Sequence, residues 1–173
     1  MPWHREQQVI EKIGEWGGLV ETRTENPDWL VRIVGAERLN DSKLYVRAVT
    51  VQLSGPEITD AQIAQLSGLV RLRGLDLRRT AVTDAGLALL SGLTNLKYVN
   101  LDRTGVTDKG LTHLLRFPAL RTLSLDRTPI TDNGLVHVSY LTNLRRLHIS
   151  RTAVTDQGVE ALQRKLPECE IRQ

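Results

Sequence analysis

The chain has 173 residues, of which 40% are hydrophobic and 25% charged, enough for one domain with a buried core and too apolar for a disordered segment. Its formal charge of +3 is mild and does not by itself mark a nucleic-acid binder. The single cysteine, Cys169, excludes a disulfide framework within the chain and a cysteine cluster for zinc.

In chain order, the first element predicted is an amphipathic helix over residues 3–17. Val9, Ile10, Ile13 and Trp16 share one of its faces, and Gly17-Gly18 stop it. Its charges interrupt any apolar run, so it reads neither as a signal peptide nor as a membrane span, and a cytoplasmic location is expected. Asn26-Pro27-Asp28 reads as a second helix start, with Asn26 as cap and Pro27 at the first helical position. All three tryptophans, Trp3, Trp16 and Trp29, fall in this stretch. Residues 1–47 are therefore expected to form a helical cap.

A repeat then takes over. LRGLDLRRTAVTDAGLALLSGLTN from Leu72 recurs from Leu96, Leu120 and Leu144, and Thr80, Thr104, Thr128 and Thr152 lie 24 residues apart. A weaker copy in phase begins at Ala48, with Pro56 in the threonine slot. Within each unit the alternation of Leu75 and Leu77, or Leu123 and Leu125, predicts a half-buried strand. Val82, Val106, Ile130 and Val154 turn inward, and Thr-Asp pairs at 83/84, 107/108, 131/132 and 155/156 open short helices as N-caps. Gly86, Gly110, Gly134 and Gly158 fall where a side chain would hold helix and sheet apart. One unit cannot cover its own leucines, so the units must stack and the ends need caps. LPECEI at 166–171 departs from the pattern and is expected to form the last edge of a C-terminal cap spanning 162–173.

The pattern LxxLxLxxTx(V/I)TDxGLxxL resembles the leucine-rich-repeat family. It is most similar to a bacterial variant with a TDxGL helix start, related to the repeats of F-box substrate receptors. The resemblance covers residues 48–171, and no F-box is recognisable in residues 1–43. It implies an α/β solenoid of about five repeats, with a curved parallel sheet on the concave side and short helices on the convex side.

In that architecture four columns of strand residues face outward on the concave side. They are Thr50, Gly74, Tyr98, Thr122 and Arg146; Gln52, Asp76, Asn100, Ser124 and His148; Ser54, Arg78, Asp102, Asp126 and Ser150; and Gly55, Arg79, Arg103, Arg127 and Arg151. The last column stacks four arginines, with Asp102 and Asp126 beside them to offset part of the charge. Such a row is either a solvated ladder or a strip for anions, since arginine forks carboxylate or phosphate bidentately. Tyr98, flanked by Arg73, Thr122 and Arg146, is the one aromatic on this face and a candidate anchor.

Enzymatic patterns are weak. His113 and His137 recur at one helix position without a third ligand, and His148, Ser150 and Asp126 would form a triad on an open sheet with no oxyanion donors. No phosphate-binding glycine loop occurs, and no cofactor is expected. A non-enzymatic module binding a protein partner, one with an acidic segment, is the favoured reading. A nucleic acid or other polyanion is the alternative, because residues 44–173 carry 17 basic against 12 acidic residues. Self-association within a larger protein is a third.

Overall fold

The computed structural model describes residues 2–24 and 46–173. Helix α1 (Pro2–Glu15) ends in a Schellman motif. Gly17 adopts φ 70°, and the N–H groups of Gly17 and Gly18 donate to the carbonyls of Gly14 and Ile13 at 3.0 and 2.8 Å. Ile13 is fully buried, with Val9, Ile10 and Trp16 packed partly around it. The buried Glu6 accepts a hydrogen bond from the Ala48 backbone N–H at 3.0 Å, tying α1 to the first repeat. Strand β1 (Leu19–Thr24) pairs antiparallel with β2 (Val46–Gln52), with a register shift at Glu21/Thr22. Helix α1 agrees with the expected helix over 3–17, whereas β1 is a strand inside a cap expected to be helical. The expected helix start at Asn26-Pro27-Asp28, and Trp29, lie outside the described residues.

From β2 onward the copies stack in parallel, through β4 (Gly74–Asp76), β6 (Tyr98–Asn100), β7 (Thr122–Ser124), β8 (Arg146–His148) and β9 (Glu170–Arg172). The strand order among the described residues is β1-β2-β4-β6-β7-β8-β9. Register advances by one repeat at each step: Thr50 pairs with Gly74, Gly74 with Tyr98, Tyr98 with Thr122, and Thr122 with Arg146. A second, two-stranded ladder joins β3 (Gly55–Thr59) to β5 (Thr80–Ala81). Helices α2 (Asp60–Gln65), α3 (Asp84–Leu89), α4 (Asp108–Leu111), α5 (Asp132–Val138) and α6 (Asp156–Lys165) pack side by side. Between helices and sheet lies one continuous core, including Leu75, Leu77, Leu87, Val99, Leu101, Leu123 and Leu147. This is a leucine-rich-repeat solenoid.

The Thr-Asp pair does more than cap. Each threonine is the N-cap of its own helix; Thr131 accepts from the Asn133 N–H at 3.2 Å. In all but the last copy the aspartate, at the first helical position, reaches forward to the threonine of the next copy. Asp108 takes the Thr131 backbone N–H at 2.8 Å on one oxygen and its hydroxyl at 2.6 Å on the other. Asp60, Asp84 and Asp132 do the same to Thr83, Thr107 and Thr155. The carboxylate thereby fixes the hydroxyl so that its lone pair faces the helix it caps. Asp132 titrates below the usual carboxylate range because of the backbone and then the hydroxyl hydrogen bond from Thr155.

These staples explain the glycines. A Cβ on Gly110 would collide with the Asp84 carboxylate and crowd Val106, and Gly86, Gly134 and Gly158 meet the preceding aspartate in the same way. The glycine makes room for a neighbour's carboxylate, which replaces the helix–sheet spacing inferred from sequence. In the first copy that slot holds Gln62, whose Oε1 accepts from both the N–H and the hydroxyl of Thr59 at 3.0 and 2.7 Å. The stack is thus closed from within at its first repeat. At the last one, Asp156 is exposed and makes no such bond among the described residues.

Candidate functional site

After each strand the chain turns sharply. In two of the copies the Thr104 and Thr128 N–H groups donate to the carbonyls of Leu101 and Leu125, three residues back, at 3.3 and 3.2 Å. In all four, the threonine hydroxyl donates to the same carbonyl, at 2.6–2.8 Å across Thr80, Thr104, Thr128 and Thr152. The third residue of the turn stands at positive φ, as in a type II turn, the slot glycine and asparagine ordinarily fill. Here it is Arg79, Arg103, Arg127 and Arg151, at φ 58°, 55°, 58° and 57°. The first copy has Gly55 there, at φ 113°. A left-handed arginine carries a conformational cost that glycine or asparagine would largely avoid, and the chain repeats it four times.

The four arginines stand in register. The Arg79, Arg103 and Arg127 N–H groups donate to Asp102, Asp126 and Ser150 carbonyls at 2.8–2.9 Å, so successive arginines are one strand spacing apart, about 4.8 Å. All four are exposed, and none forms an ion pair or side-chain hydrogen bond among the described residues. Arg127 is shifted below the usual arginine value by desolvation, then by the like charges of Arg103 and Arg151.

Asp102 and Asp126 form no ion pair with the row among the described residues, although the nearby Asp126 charge offsets part of that on Arg127, in line with the sequence expectation. Their carboxylates turn along the sheet to the next repeat. Asp102 accepts from the Ser124 hydroxyl at 2.6 Å and the Asp126 N–H at 2.9 Å, and Asp126 accepts from the Ser150 N–H at 2.7 Å. Backbone donors that strand geometry leaves open outcompete a guanidinium that water already solvates. Arg78 is the paired arginine, its Nη2 2.9 Å from the buried Asp76 carboxylate, which raises its pKa through that hydrogen bond and charge.

A correction concerns the column expected to be outward. Asp76, Asn100 and Ser124 are buried: Asp76 and Asn100 accept from residues two further along their own segment, the Arg78 guanidinium and the Asp102 N–H at 2.9 Å, and Ser124 donates across to Asp102 of the preceding repeat. His148 is partly buried and Arg146 exposed on β8. Tyr98 is half-buried on β6, between Gly74 and Thr122; Arg146 lies two strands away. Burial raises the Tyr98 phenol, against the opposing hydrogen bond with Asn100. Asp126 serves the Ser150 backbone and has no bond to His148 among the described residues, so no triad is assembled. No three His, Cys, Asp or Glu side chains among the described residues converge as for a metal, and none of the described helices is long and apolar enough to cross a membrane.

The family model for the leucine-rich repeat matches residues 92–115 and 140–162. The chain is a leucine-rich-repeat protein. Its repeats are similar to those of internalin C2 from Listeria monocytogenes, at 29% identity and a TM-score of 0.50, over 62% of this chain and 45% of that one. A leucine-rich-repeat protein of Leptospira interrogans matches at 21% identity and a TM-score of 0.50, over 64% of this chain and 27% of the other. The leucine-rich-repeat ectodomain of the receptor kinase SOBIR1 from Arabidopsis thaliana shares the fold at 13% identity and a TM-score of 0.57, over 98% and 91%. The chain thus spans less than half the length of both bacterial structures. No curated protein sequence matches it. Leucine-rich-repeat proteins in general mediate protein–protein interaction and are typically non-enzymatic scaffolds.

Proposed function

We propose that this leucine-rich-repeat protein is a non-enzymatic binding module that takes an acidic segment of a partner protein along the Arg79–Arg103–Arg127–Arg151 row. One observation carries the reading: four exposed arginines, without acidic partners among the described residues, occupy a turn slot whose backbone favours glycine or asparagine. The inference runs from an observed conformational outlier to a role, because a solvated ladder would not need arginine in that slot. Tyr98 and Arg146, on the sheet face, are secondary contacts in this proposal, and Arg78 is committed to Asp76.

The test is a titration of the wild type and of Arg79→Asn/Arg103→Asn/Arg127→Asn/Arg151→Asn with a fluorescein-labelled oligoglutamate peptide. A labelled DNA duplex runs in parallel, each probe at two salt concentrations. Asparagine suits the left-handed slot, so the variant keeps the turn and loses only the charge. Salt-sensitive peptide binding that disappears in the variant supports the proposal. Binding confined to the duplex overturns it in favour of a nucleic-acid ligand.

A further inference from the structure

We propose that the acidic segment recognised on this row is an α-helix bearing one carboxylate per turn on a single face, laid across the strands; the inference rests on the reading of the row given above. Charge spacing distinguishes the ligands. Successive arginines are offset by one parallel strand, about 4.8 Å, so three steps span about 14 Å. Carboxylates placed at i, i+4, i+7 and i+11 of a helix climb one 5.4 Å turn per step, about 16 Å in all. An extended peptide shows the same face only at every second residue, about 6.7 Å per step and about 20 Å overall. The helix therefore stays in step with the four guanidiniums to within about 2 Å, which a long side chain absorbs. The extended chain falls out of step by about 6 Å over the same row.

The surroundings favour a rod with one charged stripe. On the far side of each arginine the next exposed slot is Ala81, Gly105, Pro129 or Ala153, small in all four arginine-bearing copies, so these slots put nothing bulky between the row and a cylinder about 10 Å across. On the sheet side lie the Asp102 and Asp126 carboxylates, already holding backbone N–H donors of the next repeat. These fixed negative charges border the row and disfavour a ligand that is anionic all round, such as a nucleic-acid duplex. A helix that keeps its acids in one stripe meets only the arginines.

Three labelled peptides of equal length and equal glutamate count test this on the whole chain. In the first the glutamates share one helix face in an alanine-rich background. The second disperses them around the helix. The third carries prolines that prevent helix formation. The one-face peptide is expected to bind at least about 10-fold more tightly than either control, and the four-asparagine variant to lose this preference. Equal affinities for all three, each lost in the variant, would overturn the helical inference while the arginine row stood as the binding site. Binding indifferent to the asparagine substitutions, or no peptide binding at all, would overturn both. Circular dichroism of each variant establishes that a loss of binding is not a loss of fold.

Discussion

Asp108 and Asp156 hold the same place in their repeats, at the first position of a helix capped by threonine. Replacing each by alanine separates two roles that the sequence cannot tell apart. Asp108→Ala removes the acceptor for the Thr131 N–H and for its hydroxyl, both partly buried. Each bond to a charged group is worth about 1.5–3 kcal/mol, and partial access to water brings that toward the lower end or below it. The cap geometry of α5 is loosened as well, because the Thr131 hydroxyl loses the group that orients it. A destabilisation of about 2–3 kcal/mol follows. Asp156 has no following threonine among the described residues, so Asp156→Ala forfeits only its interaction with the helix dipole, about 0.3–1 kcal/mol. Urea unfolding of both variants, monitored by circular dichroism, measures the difference. Equal losses at the two positions would show that the carboxylate serves its own helix alone, and the inter-repeat staple would be refuted.

Further expectations follow from the same geometry. Leu101→Ala, at a fully buried position, should cost about 2–5 kcal/mol in unfolding free energy; an unchanged melting point would place Leu101 outside the core. Asp132 should contribute stability that is present above its unfolded pKa of about 3.9 and lost as pH falls through its depressed folded value, because the protonated form cannot hold Thr155 as well. An NMR titration of its carboxyl carbon should show a midpoint below about 3.9 that rises part of the way toward it in Thr155→Ala, which keeps the backbone N–H and loses the hydroxyl; an unmoved midpoint would reject the hydroxyl's share of the effect. Cys169 is buried, and burial raises its thiol to about 11, so native protein should label far more slowly with iodoacetamide at pH 8 than unfolded protein. The four-asparagine variant should melt higher than the wild type, by about 5 °C, through relief of like-charge repulsion and of the left-handed arginines. A lower melting point would show that the arginines stabilise the fold.

Much of the fold was legible because the 24-residue period and the LxL alternation report directly on stacking and burial. The Thr-Asp-x-Gly motif marked a helix start correctly, yet the partner of its aspartate lies 23 residues on, a distance at which a carboxylate meets a hydroxyl only once the copies are stacked. Gln62 carried a readable signal: it replaces glycine in the first copy alone, where no preceding carboxylate needs the space. Strand β1 was missed because LVETRT lies outside the repeat and pairs antiparallel with the edge of the stack. The arginine column could be placed from periodicity, but its left-handed backbone could not, since nothing in the side-chain pattern distinguishes a turn residue from the last residue of a strand. The same periodicity assigned Asp76, Asn100 and Ser124 to the outside. It cannot foresee that these short polar side chains are taken up by donors and acceptors of the turn two residues on, or, for Ser124, by Asp102 of the preceding repeat.

In the proposed mode the ligand lies along the rim of the sheet and leaves the helical side untouched, where a groove of about 420 Å³ between α5 and α6 exposes Val136 and Tyr140. Mapping backbone amide shifts while titrating the one-face glutamate helix tests it most directly. Shifts are expected at residues 78–81, 102–105, 126–129 and 150–153, saturating together and fading with added salt. Shifts centred on Val136, Tyr140 and Ala161, with the arginine turns unmoved, would contradict it.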